Sequence, residues 1–309
     1  KSTGSVDGVM VDGGKLVGTG GTIGKLTLKG KDPSVQLSGG SLGSIVNSTG
    51  NYFRIGTLLA DGYAFKHTDG DFIEHNETIT ANSNKPVKDL TVMVCKEDTH
   101  KWSYGDTCSY CGKTLVAYVG DSTNQKYFTV LSDAIAYANT YLKEITNNNV
   151  SLYLLSDAEV EQTITLNHEN SKTYYLNLNG HTLSNATDCS GSIIKLMSGK
   201  LYIRNGSRTD TGKLAANGVD GVVVIGGTLT VETPLISASG ENCAAVRMQG
   251  SSLDISYGSI SSENDAYAIV AEGGENLKVV NDQVFGAVKI ADSYTGTVDL
   301  MAGTYDSIE

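Results

Sequence analysis

SGKLYIRNGS at 198–207, GGTLTVETPLIS at 226–237, QGSSLDISYGSIS at 249–261 and GGENLKVVND at 273–282 share one grammar, a glycine turn followed by a short alternating strand. Alternation of apolar and polar residues sets one face of a strand for burial and the other for water. Gly199, Gly227, Gly250 and Gly274 stand 28, 23 and 24 residues apart. A period of that size belongs to a solenoid or similar array, where each repeat buries its apolar face against the next. A second apolar run precedes the glycines of each repeat: SIIKLM, GVVVI, AAVRM and YAIVAE. Glycine between the runs supplies positive-φ corners. Two to three short strands per coil, stacked in parallel about 4.8 Å apart, bury these Val, Ile and Leu positions most simply. A propeller asks for a period nearer about 40–50, and a sandwich asks for Asn-Gly or Asp-Gly hairpins. The expected fold class is all-β, built of parallel solenoid coils.

Composition agrees. Among 309 residues, glycine numbers 36 and proline only 3, with no Gly-X-Y period, which suits many short strands and excludes collagen. A net charge of −11 argues against nucleic acid and against anionic membrane surfaces. No apolar run reaches the roughly 18 residues that a membrane helix needs. The opening KSTGSVDG has neither an initiator Met nor a charged-then-apolar leader, and reads as a mature product or an excised segment.

The N-terminal part repeats the grammar more loosely in VDGGKLVGTGGTIGKLTLKG (11–30) and QLSGGSLGSIVNSTGNYFRIGTLLADGYAFK (36–66), with glycine pairs at 13–14, 20–21 and 39–40. Residues 1 to about 66 are expected to be terminal coils of a first solenoid that began before Lys1. Between the two repeat regions, FTVLSDAIAYANTYLKEI (128–145) places Leu131, Ala134, Ile135, Ala138, Tyr141 and Leu142 at helical spacing. Ser132 or Asp133 is expected to cap it, and the helix to lie as a lid on the open end of a second solenoid.

The strongest local signal is Cys95-x4-His100-x7-Cys108-x2-Cys111, inside CKEDTHKWSYGDTCSYCGK. Three thiolates and one imidazole suit tetrahedral Zn²⁺, and four protein ligands leave no open position, so such a site is structural. A segment of about 20 residues has no adequate core of its own, and metal supplies its folding energy. Trp102 is expected to cover the site. A Cys108–Cys111 disulfide, or thiols without a partner, are the alternatives. Cys189 and Cys243 read as small buried residues in strand-like segments. Two coils separate them by roughly 9–10 Å, too far for a bridge.

The order TVLSDAIAYANT, VSLYLLSDAEVEQTITL, YYLNLNGHTLS and then G-x-L-x-I units resembles the right-handed parallel β-helix domains of adhesin-like surface proteins from gut Firmicutes, which share the pectin-lyase-like fold. LLADGYAF (58–65) is similar to the close of one such β-helix, which in those proteins is followed by a small Cys/His module. The Cys3His insert of that family matches here with a longer x4 spacing before His100. The resemblance implies right-handed coils, a first β-helix with its closing segment at 1–90, a Cys3His module at 91–114, and a second β-helix with a capping helix at 115–309. It also implies a secreted or wall-attached, adhesin-like protein.

The remaining residues offer no concentrated reactive constellation. His181 in LNGHTL lacks a Gly-His-Gly setting and a nearby Asp pair, and reads as a turn histidine or part of a stacked Asn177/Asn179 ladder. Arg204, Arg208 and Arg247 show no matching acidic cluster in their own coils. Asp69-Gly70-Asp71 reads as a turn rather than a calcium loop. The triplets at Asn76, Asn185 and Asn205 read as turns, and no glycan is assigned to them. Tyr174, Tyr202, Tyr257 and Tyr267 are the candidates for rings that stack outward on a sugar. The expected function is a non-catalytic, monomeric cell-surface module that presents its β-helical face to host or cell-wall glycans or proteins. The alternatives are a polysaccharide lyase or glycoside hydrolase on the same fold, and a carbohydrate-binding module.

Overall fold

The computed structural model describes residues 4–80, 87–96, 99–101, 106–121, 123–144, 148–206, 211–256, 258–280, 284–301 and 303–309. Among the described residues the chain is mostly β with one α-helix, and it divides into two compact units, Lys1–Leu115 and Val116–Glu309.

In Val116–Glu309 the repeats become three parallel ladders. The first runs through Asn149–Leu154, Thr173–Asn177, Lys200–Arg204, Thr228–Val231, Ser252–Ile255, Asn276–Val279 and Thr297–Leu300. The second contains Thr182–Asn185, Lys213–Asn217, Leu235–Ser239 and Ser259–Glu263. The third contains Ile164–Asn167, Ser192–Ser198, Asp220–Val224, Ala244–Met248 and Tyr267–Ala271. The second and third join in one sheet through Val284–Ile290. Long parallel-strand sheets with three strands to each repeat are compatible with a β-helix or solenoid.

Register turns the alternation into columns. Tyr174, Leu201, Leu229, Leu253 and Leu277 align strand to strand, as do Leu176, Ile203, Val231, Ile255 and Val279. Leu183, Leu214, Ile236 and Ile260 form the matching column of the second ladder. Every one of these is buried, so a single apolar cluster runs through the unit. The corners use positive φ where the chain turns, at Gly199 (+90°) and Gly227 (+82°). A Cβ on Gly227 would lie 2.0 Å from the Gly199 carbonyl oxygen, so no side chain fits. In the next repeat the left-handed residue is Ser251 (+57°), one position beyond Gly250. Gly250 is needed instead for its close approach, since a Cβ there would lie 2.1 Å from the Ile225 carbonyl oxygen.

The helix spans Leu131–Glu144 and buries Leu131, Ala134, Ala138 and Leu142. It begins one to two residues before the expected cap, so Ser132 and Asp133 lie inside the first turn. There Asp133 sits favourably against the positive end of the helix dipole. Beside the helix, Ala117–Gly120 and Gln125–Phe128 form an antiparallel hairpin that pairs with Asn149–Leu154. That hairpin, absent from the sequence expectation, covers the leading edge of the first ladder.

Lys1–Leu115 stacks shorter repeats. Ser5–Asp12 pairs in parallel with Thr22–Lys29, which in turn pairs in parallel with Gly40–Ser48, and Lys15–Gly18 pairs with Ser34–Leu37. Gly40 (φ +93°) lies over Gly21, where a Cβ would come 2.4 Å from the carbonyl oxygen, and Gly21 (φ +84°) lies as closely over Gly4, which accounts for the second glycine of each of these two pairs. The parallel stack ends when Val87–Val94 pairs antiparallel with Gly40–Ser48, and Tyr63–His67 pairs antiparallel with Val87–Val94. Asp69-Gly70-Asp71 is a turn, with the His67 amide donating to the Asp71 carbonyl (2.7 Å) and the Gly70 amide to the His67 carbonyl (3.0 Å).

Candidate metal centre

Cys95 directly follows the strand Val87–Val94, and its amide donates to the Gly62 carbonyl (2.9 Å). Cys108 and Cys111 lie on a tight turn closed by Cys108 N to Lys113 O (2.8 Å) and Gly112 N to Cys108 O (2.9 Å). Gly112 takes φ +72°, which the Cys-x-x-Cys-Gly turn requires. The amides of Lys101 and Tyr110 both point at the Cys108 sulfur, at 3.5 Å each. His100 completes the group through Nδ1, 3.3 Å from Cys95 Sγ and 3.7 Å from Cys111 Sγ, and the two sulfurs of Cys95 and Cys108 are 4.0 Å apart.

All four donor atoms lie within 4.8 Å of one another, so Cys95, His100, Cys108 and Cys111 could hold a metal ion. The donor set fits a tetrahedral ion. Metal–sulfur bonds of about 2.3 Å and metal–nitrogen bonds of about 2.0–2.1 Å place donors roughly 3.5–3.8 Å apart. The three cysteines are at most 6 % exposed and His100 is 9 % exposed. All five cysteines of the chain are free, so the Cys108–Cys111 bridge is not formed. Trp102 lies outside the described residues.

Crowding polarises the group even as thiols. Hydrogen bonds from Cys111 and Cys95 hold the Cys108 thiol far below its ordinary pKa, while the same sharing pushes Cys95 far above it. Burial opposes a charge on His100, but hydrogen bonds to Cys108 and Cys111 outweigh it and raise its pKa to about 9.

The turn is anchored by partners the motif does not announce. The His75 amide donates to the Ser109 carbonyl (2.7 Å), and the His75 ring fills the space that Gly56 and Gly112 leave open. Phe72 stacks on Tyr110 at 4.9 Å, with the ammonium groups of Lys66 and Lys101 over the respective rings. The signal for His75 is only its pairing with small residues at 56 and 112, which no linear motif carries.

The other candidate residues fall out differently. His181 sits in a turn, its Nδ1 3.7 Å from the exposed Asp157 carboxylate. Asn177 accepts from the Asn179 amide (2.9 Å) within that same turn, so the two do not stack coil on coil. The asparagine ladder lies elsewhere: Asn185 exchanges two hydrogen bonds with the Asn217 backbone, and Ser239 bonds the Asn217 side chain (3.1 Å). Cys189 and Cys243 occupy turns between second- and third-ladder strands rather than strands. Tyr174 is core, because it shares the buried column of Leu201; its neighbour Tyr175 faces out. Tyr202 and Tyr267 are half-buried, while Tyr257, Arg208 and Ser207 of the Asn205 triplet lie outside the described residues.

Arg247 finds no acidic cluster in its own coil but meets carboxylates from the coils on either side, a pairing the expectation did not consider. Its Nε reaches Asp220 at 2.8 Å and its Nη1 reaches Glu272 at 2.8 Å, one carboxylate from the repeat before and one from the repeat after. Gln249 adds a bond to Glu272 (3.0 Å), which also sits below the usual carboxylate range: burial opposes this, but Gln249 and Arg247 prevail. These residues line a groove of about 600 Å³ with Thr165 and Lys195.

Comparison with family models, with curated proteins and with solved structures finds no match for the chain.

Proposed function

We propose that the chain is a display module of a bacterial cell-surface protein, adhesin-like and non-catalytic. Its parallel strands wind as right-handed β-helical coils that present repeated polar rows to a host or cell-wall glycan or protein. The observation that carries the reading is the strand-by-strand register of Val116–Glu309, which lines up Thr228, Ser252, Asn276 and Thr297 on the outer side of the first ladder while the Leu, Ile and Val of its columns are buried. Zinc is the ion we assign to Cys95, His100, Cys108 and Cys111, because three thiolates and an imidazole match its preferences and leave no coordination position for chemistry. When bound it ties the end of Val87–Val94 to the Cys-x-x-Cys turn and does nothing catalytic. An extracellular, secreted or wall-attached location and a monomeric state complete the reading. Retention of the purified chain on immobilised host or wall ligands tests it; no retention on any of them contradicts it.

A second reading is favoured by Asp220, Arg247 and Glu272. Two carboxylates converging beside an arginine in a groove are what a glycan-cleaving enzyme on this fold would require. Both carboxylates are already bonded to the guanidinium, which suits holding a ligand better than removing its proton. Turnover of a polysaccharide that disappears in Asp220→Asn or Glu272→Gln would establish this reading in place of the first.

A further inference from the structure

The outward face of the first ladder and its hairpin changes character along its length. Register carries one row through Tyr127, Tyr118 and Tyr153 and the neighbouring row through Tyr175 and Tyr202. The rings touch: Tyr118 and Tyr153 stack at 4.5 Å and 7°, Tyr118 and Tyr127 lie at 5.7 Å, and Tyr175 and Tyr202 at 5.1 Å. Arg204 lies 4.5 Å over the Tyr175 ring. Farther along, the same row reads Thr230, Asp254 and Lys278, so the aromatic patch is bounded.

All five rings and Arg204 are half-buried, and the patch spans five adjacent strands. Among the described residues the hydroxyls of Tyr118, Tyr153, Tyr175 and Tyr202 have no hydrogen-bond partner, while Tyr127 donates to Gln125. No aliphatic side chain stands among these rings, so every apolar surface here carries a polar tip. That chemistry matches a ligand whose own surface alternates C–H faces and hydroxyls. Strands about 4.8 Å apart repeat at close to the length of one sugar unit, so a chain laid across them meets a ring on each of five strands, stepping from one row to the next between Tyr153 and Tyr175. With a net charge of −11 on the protein and one arginine in the patch, a polyanion is disfavoured.

We infer that this tyrosine face is a binding platform for a linear, neutral glycan lying across the strands, with Arg204 donating to its hydroxyls. The inference rests on the display reading and deepens it by naming the face and the ligand class. Calorimetric titration of the full chain with cellohexaose and chitohexaose, and with polygalacturonate and heparin fragments as charged comparisons, tests it. At least one neutral hexasaccharide should bind, and Tyr153→Ala/Tyr175→Ala should weaken it roughly tenfold or more. Tyr175→Phe/Tyr202→Phe keeps the rings and should weaken it several-fold, which decides the matter even if the alanine pair misfolds. Lys29→Ala, at an exposed position in Lys1–Leu115, should leave the affinity unchanged. Failure of both neutral sugars to bind, or binding only to the charged ones, overturns the platform. So does unchanged affinity in both tyrosine pairs, or a protein ligand that takes this face while the sugars do not. Adhesion to surfaces that survives the tyrosine changes would remove the platform and leave the display reading standing; glycan binding without adhesion would do the reverse.

Discussion

Lys1–Leu115 and Val116–Glu309 use the same device, parallel stacking of short strands, with different reserves. In Val116–Glu309 three ladders carry continuous columns of buried Leu, Ile and Val, a hairpin pairs with the leading strand of the first, and the helix packs on the same apolar cluster. In Lys1–Leu115 the repeats are shorter, the parallel stack ends after three strands, and the apolar cluster is smaller. The smaller unit adds antiparallel closure and a four-residue donor set at the end of its last strand. The difference teaches that a long parallel stack can rest on its own packing, whereas the short one adds antiparallel strands and a donor set that could serve as a metal staple.

The sharpest way to break this comparison is to remove the staple. Chelation, or Cys111→Ser, should destabilise Lys1–Leu115 by several kcal/mol, on the order of 3 or more, and leave the melting of Val116–Glu309 in place. Differential scanning calorimetry reads both; equal loss in the two units would mean that the metal serves the whole chain. The converse change is Leu229→Ala, in the middle of the buried column. It should cost about 2–5 kcal/mol and act on Val116–Glu309 alone, measured by urea denaturation.

A smaller effect belongs to Arg247. Arg247→Ala strands Asp220 in a half-buried site, and a loss of about 1–2 kcal/mol is expected, with little added by the more exposed Glu272. A double change with Asp220→Asn should recover part of it.

The periods of 23–28 residues, the helix and the four donors were legible from local sequence, because each depends on spacing within one repeat or one short segment. The Arg247 network was not, because Asp220, Arg247 and Glu272 become neighbours only once the register is known. Tyr174 and Tyr175 show how strict that register is: a one-residue difference decides core or surface. The hairpin at Ala117–Phe128 escaped because its signal is one glycine and a polar turn between two four-residue runs, too short for periodicity to separate from loop.

A pH titration sharpens the comparison further. His168 is buried against Tyr174 and its Nε2 has no partner. Burial first, then Lys143 and Lys172, hold its pKa below the ordinary histidine value of 6.5. The unfolded chain binds a proton there before the native one does, so stability falls as pH drops below about 6.5. His168→Gln should flatten that slope for Val116–Glu309 and leave Lys1–Leu115 unaffected. The smallest expected change is Ser251→Gly, which relieves a left-handed serine but removes the hydroxyl that accepts the Gly227 amide (2.9 Å), so the two effects nearly cancel and Tm should move little.

The staple itself is tested most directly by elemental mass spectrometry of the purified chain, with thiol titration before and after chelation. About one zinc per chain, with three further thiols exposed by the chelator, is the predicted result. A chain without metal whose Cys108 and Cys111 are joined as a disulfide would contradict the account of how Lys1–Leu115 is held.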